Sequence, residues 1–208
     1  ATTWGQFFIY QGFNEKTGWM HTSTGTDIID EFKETIVKTN DKTHYTYGEK
    51  MLPVDSIQVS LNYATNTGTS SKDFTLFRTH HGPITHSEGN HWISTALMWS
   101  PIKALKQSFT RTKKSNHYEF HEMMDIRTNS SNNTVYADAD GTIAYYHGNF
   151  IPVRDEKFDY TKPVDGSNPA TDWKGLHKLE ENIFVKNPPT HWIQNCNSTP
   201  FSSAAEYS

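Results

Sequence analysis

The sequence predicts a β-rich α+β fold, and three observations carry that expectation. Ile57, Val59, Leu61 and Tyr63 alternate with polar residues, the period-two signature of a half-buried strand. Aromatic residues make up 13% of the 208 residues while the hydrophobic fraction is only 34%, so rings must carry much of the burial. Two short stretches, opening at Ser100 and Asn116, have the capping residues and apolar spacing of helices.

Taken along the chain, the aromatic run Trp4 to Tyr10 is the first strand candidate. Asp27 to Val37 is read as a weak helix, and Thr65 to Lys72 as a polar loop. Phe74 to Arg78 and Trp92 to Trp99 are further strand candidates. Ser100 can cap a helix with Pro101 at its first position and Ile102, Leu105 and Phe109 on one side. Asn116 followed by Glu119 resembles a capping box, with Phe120, Met123 and Met124 on the helical face that follows. Asn129 to Asn133 reads as a loop. Val135 to Ala137 and Thr142 to Tyr146 should pair, because Asp138-Ala139-Asp140-Gly141 supplies turn chemistry between them. Lys157 to Thr171, rich in Pro, Gly and Asp, should be an extended surface loop.

Composition narrows the function. With 19 basic and 23 acidic residues the net charge is −4, and no basic stripe points to nucleic acid. No apolar run is long enough to cross a bilayer as a helix. The single cysteine, Cys196, reads as a small buried hydrophobe rather than a nucleophile. There is no Gly-x-Ser-x-Gly elbow and no phosphate-binding glycine loop.

Several clusters invite metal readings. His80-His81-Gly82-Pro83, with His86 and His91 beyond, has imidazoles at short spacing, but no nearby carboxylate or cysteine completes a ligand pattern, so a Gly-Pro turn is expected. His121-Glu122-Met123-Met124-Asp125 looks like a zinc-protease helix with its last histidine replaced, although Phe120 and Met124 suit ordinary packing. Asp138 to Gly141 lacks the distal glutamate of a calcium loop. Asp27 and Asp30 can face one point and hold a hard cation, or simply favour a helix start. Finally, Gly18 to Ser23 is strand-like, and Asn187 to Asn197 is studded with amides. A side-chain amide and a main-chain N–H aimed at one spot are what an oxyanion hole needs, and the same amides equally suit turns.

Separate segments resemble the penicillin acylase family in the family's order. They are Asn14 to Phe32, Arg78 to Ile84, Ala96 to Trp99, Val135 to Arg154, Asp172 to Gly175 and Asn187 to Pro200. The stretch Thr39 to Lys72 resembles it only weakly. The resemblance implies part of an αββα N-terminal-nucleophile (Ntn) hydrolase sandwich with a small antiparallel β insert. It places the core in 1–27 and 95–208 and the insert in 28–94. The implied reaction is cleavage of an acyl amide of the penicillin or acyl-homoserine lactone type. In the family a serine at the start of the β-chain attacks the amide, with its own α-amine as base. This chain opens Ala1-Thr2-Thr3-Trp4, with fewer residues before Gly18 than the family has before the matching segment, so the serine is expected to lie outside it.

By the same resemblance, Ser23 supplies a main-chain oxyanion donor and Asn195 a side-chain one. His21, two residues before Ser23, is a further candidate because its ring could face the same cleft. Asp27 and Asp30 match calcium carboxylates, Ile29 matches a carbonyl ligand and Pro163 is a looser carbonyl match. The other calcium ligands are expected elsewhere in the precursor, so binding by this chain should be weak or absent. Expected partners are the α-chain, the rest of the β-chain and a small acyl amide, in the periplasm or outside the cell. The alternatives are a non-catalytic binding module of the same fold and a metal-dependent hydrolase built on His121 and Glu122.

Overall fold

Alternating burial marks the central strands of the two larger sheets. In the computed structural model, which describes residues 8–40, 42–89 and 91–199, the strands in chain order begin with β1 (Gly12–Phe13), β2 (Thr17–Ser23), β3 (Asp30–Thr39), β4 (Lys42–Tyr47) and β5 (Lys50–Pro53). β6 (Asp55–Thr65), β7 (Gly68–Arg78), β8 (Ile84–Glu88) and β9 (His91–Ala96) follow. Then come helices α1 (Pro101–Arg111) and α2 (His117–Met124), and strands β10 (Asn132–Asp138), β11 (Ile143–Tyr146), β12 (Val164–Asp165) and β13 (Phe184–Lys186). The chain divides into two compact units, one of residues 1–28, 98–153 and 175–208, the other of residues 29–97 and 154–174.

The first unit holds a five-stranded antiparallel sheet, β1-β2-β10-β11-β13. Side chains on a strand alternate between faces. Trp19, Tyr136, Ala144 and Tyr146 therefore share one face, and they form a buried cluster with Phe120, Met123 and Met124 of α2. Met20, Thr22, Asn133, Val135 and Tyr145 point to the other face. The expected hairpin is present: Val135 opposes Tyr145, and Asp138 Oδ1 accepts from the N–H groups of Asp140 and Thr142 in the turn.

Both helices start where expected, but they differ inside. In α2 the Asn116 side chain accepts from Glu119 N–H at 3.0 Å, while the Glu119 carboxylate reaches back to the N–H and hydroxyl of Ser115, a variant of the capping box. In α1 Pro101 takes the first turn without a side-chain cap from Ser100. Its predicted apolar side is the wrong one: Ile102, Leu105 and Phe109 are exposed, and Gln107 and Arg111 are buried instead. Gln107 accepts from the N–H and hydroxyl of Thr128, and Arg111 reaches His21, so polar pairing rather than apolar area seats this helix.

The second unit contains a six-stranded sheet, β5-β4-β3-β9-β8 with β12 added parallel to β3, and a two-stranded ribbon of β6 and β7. Three expectations about secondary structure fail here. Asp27 to Val37 is not a helix: β3 starts at Asp30, burying Asp30, Phe32 and Glu34 at period two, and its Thr35-Ile36-Val37 run suits a strand. Thr65 to Lys72 is not a loop, because only Asn66 and Thr67 turn between β6 and β7. The Ile57 to Tyr63 strand exists but is not half-buried, since Ile57, Leu61 and Tyr63 are exposed on a ribbon whose register runs unbroken from Asp55–Arg78 to Thr65–Gly68. Residues 154–174, expected with the flanking core, associate with the second unit because Val164 pairs with Phe32 and packs in a cluster with Phe32 and Ala96. Of the Trp4 to Tyr10 candidate, residues 1–7 lie outside the described residues, and Phe8 to Tyr10 are irregular. Among the described residues no helix is long and apolar enough to cross a membrane.

Candidate active site

Strand β2 ends at Ser23, and its neighbour β10 begins at Asn132, directly opposite. Thr22 and Asn133 form the next pair, both on the face away from α2. Asn133 has no exposed surface. Its Nδ2 donates to Thr22 Oγ1 at 3.3 Å, to the Ser23 carbonyl at 3.4 Å and to Asn195 Oδ1 at 3.4 Å. The Thr22 hydroxyl donates to the same Asn195 oxygen at 2.5 Å. Thr22 and Asn195, 173 positions apart, thus meet on one face of the sheet. Two donors on Oδ1 fix which way the Asn195 amide is turned, since only its oxygen can accept them. Asn195 Nδ2 then faces away and reaches the Ser198 carbonyl at 3.4 Å.

The neighbouring main-chain donor, Ser23 N–H, donates to Asn197 Oδ1 at 2.9 Å. Asn197 is exposed and sits in the left-handed region at φ 57°. Behind Asn133, the His147 ring completes the chain of hydrogen bonds. Asn133 Oδ1 is an acceptor, so His147 Nδ1 at 3.0 Å must carry the proton, and Nε2 accepts the Thr26 hydroxyl at 2.7 Å. Burial holds the His147 pKa down to about 4, which keeps the ring neutral and the relay fixed in one tautomer. A cleft of about 350 Å3 opens beside it, lined by Gly25, Thr26, His147, Ile151, Asn182 and Ile183 among others.

Ser23 and Asn195 are therefore brought together, and His21 is not. The His21 ring lies on the opposite, helix-facing side of β2, buried against α1. Arg111 Nη1 donates to its Nε2 at 2.7 Å, so Nδ1 carries the hydrogen and faces Thr134 Oγ1 at 3.0 Å and the Asn133 carbonyl at 3.3 Å. Burial first, and the Arg111 charge second, depress its pKa to about 3. A neutral, enclosed imidazole in that position orients β2 and β10 but cannot reach a group bound near Asn195.

The predicted cation ligands divide between the units: Asp27 falls in the first, and Ile29, Asp30 and Pro163 in the second. Asp27 and Ile29 are exposed and Pro163 is half-buried ahead of β12. The buried Asp30 carboxylate accepts Arg154 Nε at 2.7 Å and Nη2 at 3.1 Å, and Trp173 Nε1 at 2.5 Å. A guanidinium already supplies its counter-charge. These donors do not fit a calcium ion by themselves, because calcium asks for six to eight oxygens. The other metal candidate fares no better: His121 Nδ1 faces the Tyr146 hydroxyl and Glu122 accepts from Tyr118, with no third ligand gathered around them among the described residues. Cys196 is exposed rather than buried.

Asn133, Thr22 and His147 were not singled out from the sequence. Asn133 sat in a stretch read as loop, and the available signal was its place two positions before Val135 in the same alternating strand.

A profile described as Penicillin amidase matches residues 1–208. The chain belongs to the penicillin amidase family. That family is one of hydrolases of the Ntn class. Penicillin G acylase of Escherichia coli is 27% identical over 192 residues, a match that covers 91% of this chain and 22% of that protein. A solved structure of a thermostable penicillin G acylase from Alcaligenes faecalis superimposes with a TM-score of 0.79 at 22% identity, covering 96% of this chain and 36% of that one. The chain therefore spans only a minor part of the length of these relatives, and its β-rich fold with two helices matches part of a penicillin acylase structure.

Proposed function

We propose that this chain supplies the oxyanion-binding side of an acyl-amide hydrolase. The nucleophile is an N-terminal serine contributed by another segment of the same precursor. The observation that carries the proposal is the meeting of Asn195 with the end of β2, held by Thr22 and Asn133. As the amide carbonyl is attacked, negative charge grows on its oxygen. Asn195 Nδ2 and Ser23 N–H are the donors offered to it. Asn197 Oδ1, which already accepts from Ser23 N–H, is the acceptor that the oxyanion would replace at that donor. Substrate would displace this exposed side chain, and the preset Asn195 amide costs little reorganisation at that moment. The sheet of the first unit, with α1 and α2 on one face, accords with half of an αββα sandwich, the α-chain and the remainder of the β-chain providing the rest. The substrate class is an acyl amide of the penicillin or acyl-homoserine lactone type.

The test uses the full-length precursor, its processing into two chains and its turnover of a chromogenic phenylacetyl or long-chain acyl amide. Asn195→Ala should process normally and lose about a hundredfold or more in kcat, the usual cost of one oxyanion donor. Turnover within a few-fold of the parent would refute the assignment. A parent that neither processes nor hydrolyses any acyl amide would favour the non-catalytic binding module instead.

A further inference from the structure

The histidine pair in the loop after β7 lacks a third ligand in the sequence, but the fold provides one. His81 Nε2 lies 3.0 Å from Asp172 Oδ1, which is 91 residues further along the chain, and His80 Nε2 lies 3.9 Å from the same oxygen. The three ligand atoms lie within 4.8 Å of one another, all inside the second unit. We propose that His80, His81 and Asp172 form a site for a divalent transition ion of the zinc class, its remaining position open to water.

Spacing and chemistry both support it. A tetrahedral zinc with bonds near 2.0–2.1 Å holds its ligands roughly 3.3 Å apart, between the two distances above. Two imidazoles and a carboxylate are a borderline donor set that suits zinc, cobalt or copper better than calcium or magnesium. Each ligand also has the outer partner that metal sites use to aim their first ligands. His81 Nδ1 donates to the fully buried Glu34 carboxylate at 2.9 Å, which leaves Nε2 as the outward nitrogen. His80 Nδ1 faces the Tyr45 hydroxyl at 3.0 Å, and its ring stacks on Tyr45. The second oxygen of Asp172 accepts from the Tyr47 hydroxyl. The His81 side chain is nearly enclosed, whereas those of His80 and Asp172 are about one-third exposed, so an ion and its water can enter.

The loop itself depends on Gly82. A Cβ there would meet the Thr95 carbonyl oxygen at 2.0 Å, so only glycine lets the chain turn close enough to β9 to present both imidazoles on one side. An ion in this position would tie that loop to the 154–174 segment.

The experiment is zinc titration by calorimetry of the protein, without a polyhistidine tag and in the longest form in which it accumulates. One equivalent should bind and raise the melting temperature. His80→Ala and Asp172→Asn each should weaken zinc binding about tenfold or more, while His86→Ala, on β8 and outside the cluster, should leave it unchanged. Asp172→Asn keeps the shape of the side chain, so circular dichroism of that variant separates a lost ligand from a lost fold. Cobalt(II) should give the intense visible bands of a four-coordinate site in the parent and not in His80→Ala. Failure to take up zinc, or unchanged affinity in both ligand variants, would overturn the site.

Discussion

Each unit is organised around one side chain with no exposed surface, Asn133 in the first and Glu34 in the second, and the two are satisfied in opposite ways. Asn133 uses both ends of a neutral amide, donating to Thr22, Ser23 and Asn195 and accepting from His147. Glu34 can only accept. Its Oε1 takes the Thr79 hydroxyl at 2.6 Å, the Ser94 hydroxyl at 2.7 Å and His81 Nδ1 at 2.9 Å, while Oε2 has no hydrogen-bond partner among the described residues and lies against Gly166. A neutral relay passes orientation along to a group at its edge, here the Asn195 amide. A buried carboxylate gathers donors onto itself and locks strands together. The difference suits a site in which an amide must be aimed, and a scaffold in which β3, β9 and the histidine loop must hold.

The largest effect that would test this contrast is at the carboxylate. Glu34→Ala removes the acceptor shared by three buried donors, and breaking a buried charged network commonly costs about 3–5 kcal/mol. Urea unfolding should show a loss of that size, larger than for any single substitution around Asn133. A loss below about 1 kcal/mol would mean that Glu34 is not what holds the second unit. Gly166 sharpens the same point: a Cβ at that position would sit 2.7 Å from Glu34 Oε2, so the bare oxygen and the glycine must be changed together.

Next in size is Asn133→Leu, which keeps the volume and removes the relay. It strands the His147 N–H and takes one donor from Thr22 Oγ1, whose hydroxyl still donates to Asn195, for about 2 kcal/mol of stability. In the full-length enzyme it should also lower kcat about tenfold with little change in KM, because Asn195 loses one of the two donors that set its orientation. A stability loss with kcat per folded molecule untouched would reduce Asn133 to a packing residue and remove the first half of the contrast. Asn133→Asp, which cannot donate from its side chain when ionised, should reproduce the kcat loss.

The sequence made some of this legible and concealed the rest for physical reasons. Local chemistry was readable: the Asp138 to Gly141 turn, the Asn116 cap and the alternation through Val135 all correspond to observed elements. Long-range polar pairing was not. Nothing within a few residues of Gln107 or Arg111 announces that they, rather than Ile102 and Leu105, seat α1, because their partners Thr128 and His21 are 21 and 90 positions away. Asp172 completing the histidine cluster is the same kind of event. The site was half legible: Ser23 and Asn195 came from family resemblance, and the side chains that aim Asn195 were hidden in a stretch whose amides look like loop formers. His21 shows how two-residue spacing misleads. It shares a strand face with neither Thr22 nor Asn195, and the groups within its reach are those of the helix side.

The smallest expected effect separates the units by acid. Burial depresses His21 to about 3 and His147 to about 4, and His117, less enclosed, also to about 4. All three lie in the first unit. Unfolded histidine titrates near 6.5, so between that value and the depressed ones the unfolded chain takes up protons that the folded one refuses. The contribution of each imidazole is complete above about pH 6.5 and is lost as pH falls toward 4 and then 3. For His21 and His147 this is about 1 kcal/mol each between pH 7 and 5.5. In the second unit His80 is lowered in the same direction, but it is exposed and its carboxylate neighbour opposes the shift. Hydrogen exchange corrected for intrinsic rates should therefore show amides of β2 and β10 losing protection over that range before those of β3 and β9. His147→Gln, which can still donate to Asn133 Oδ1 without titrating, should flatten the first unit's response. Equal loss of protection in both units would show that the buried imidazoles do not set the acid limit, and that the neutral relay is no more sensitive to protons than the carboxylate cluster.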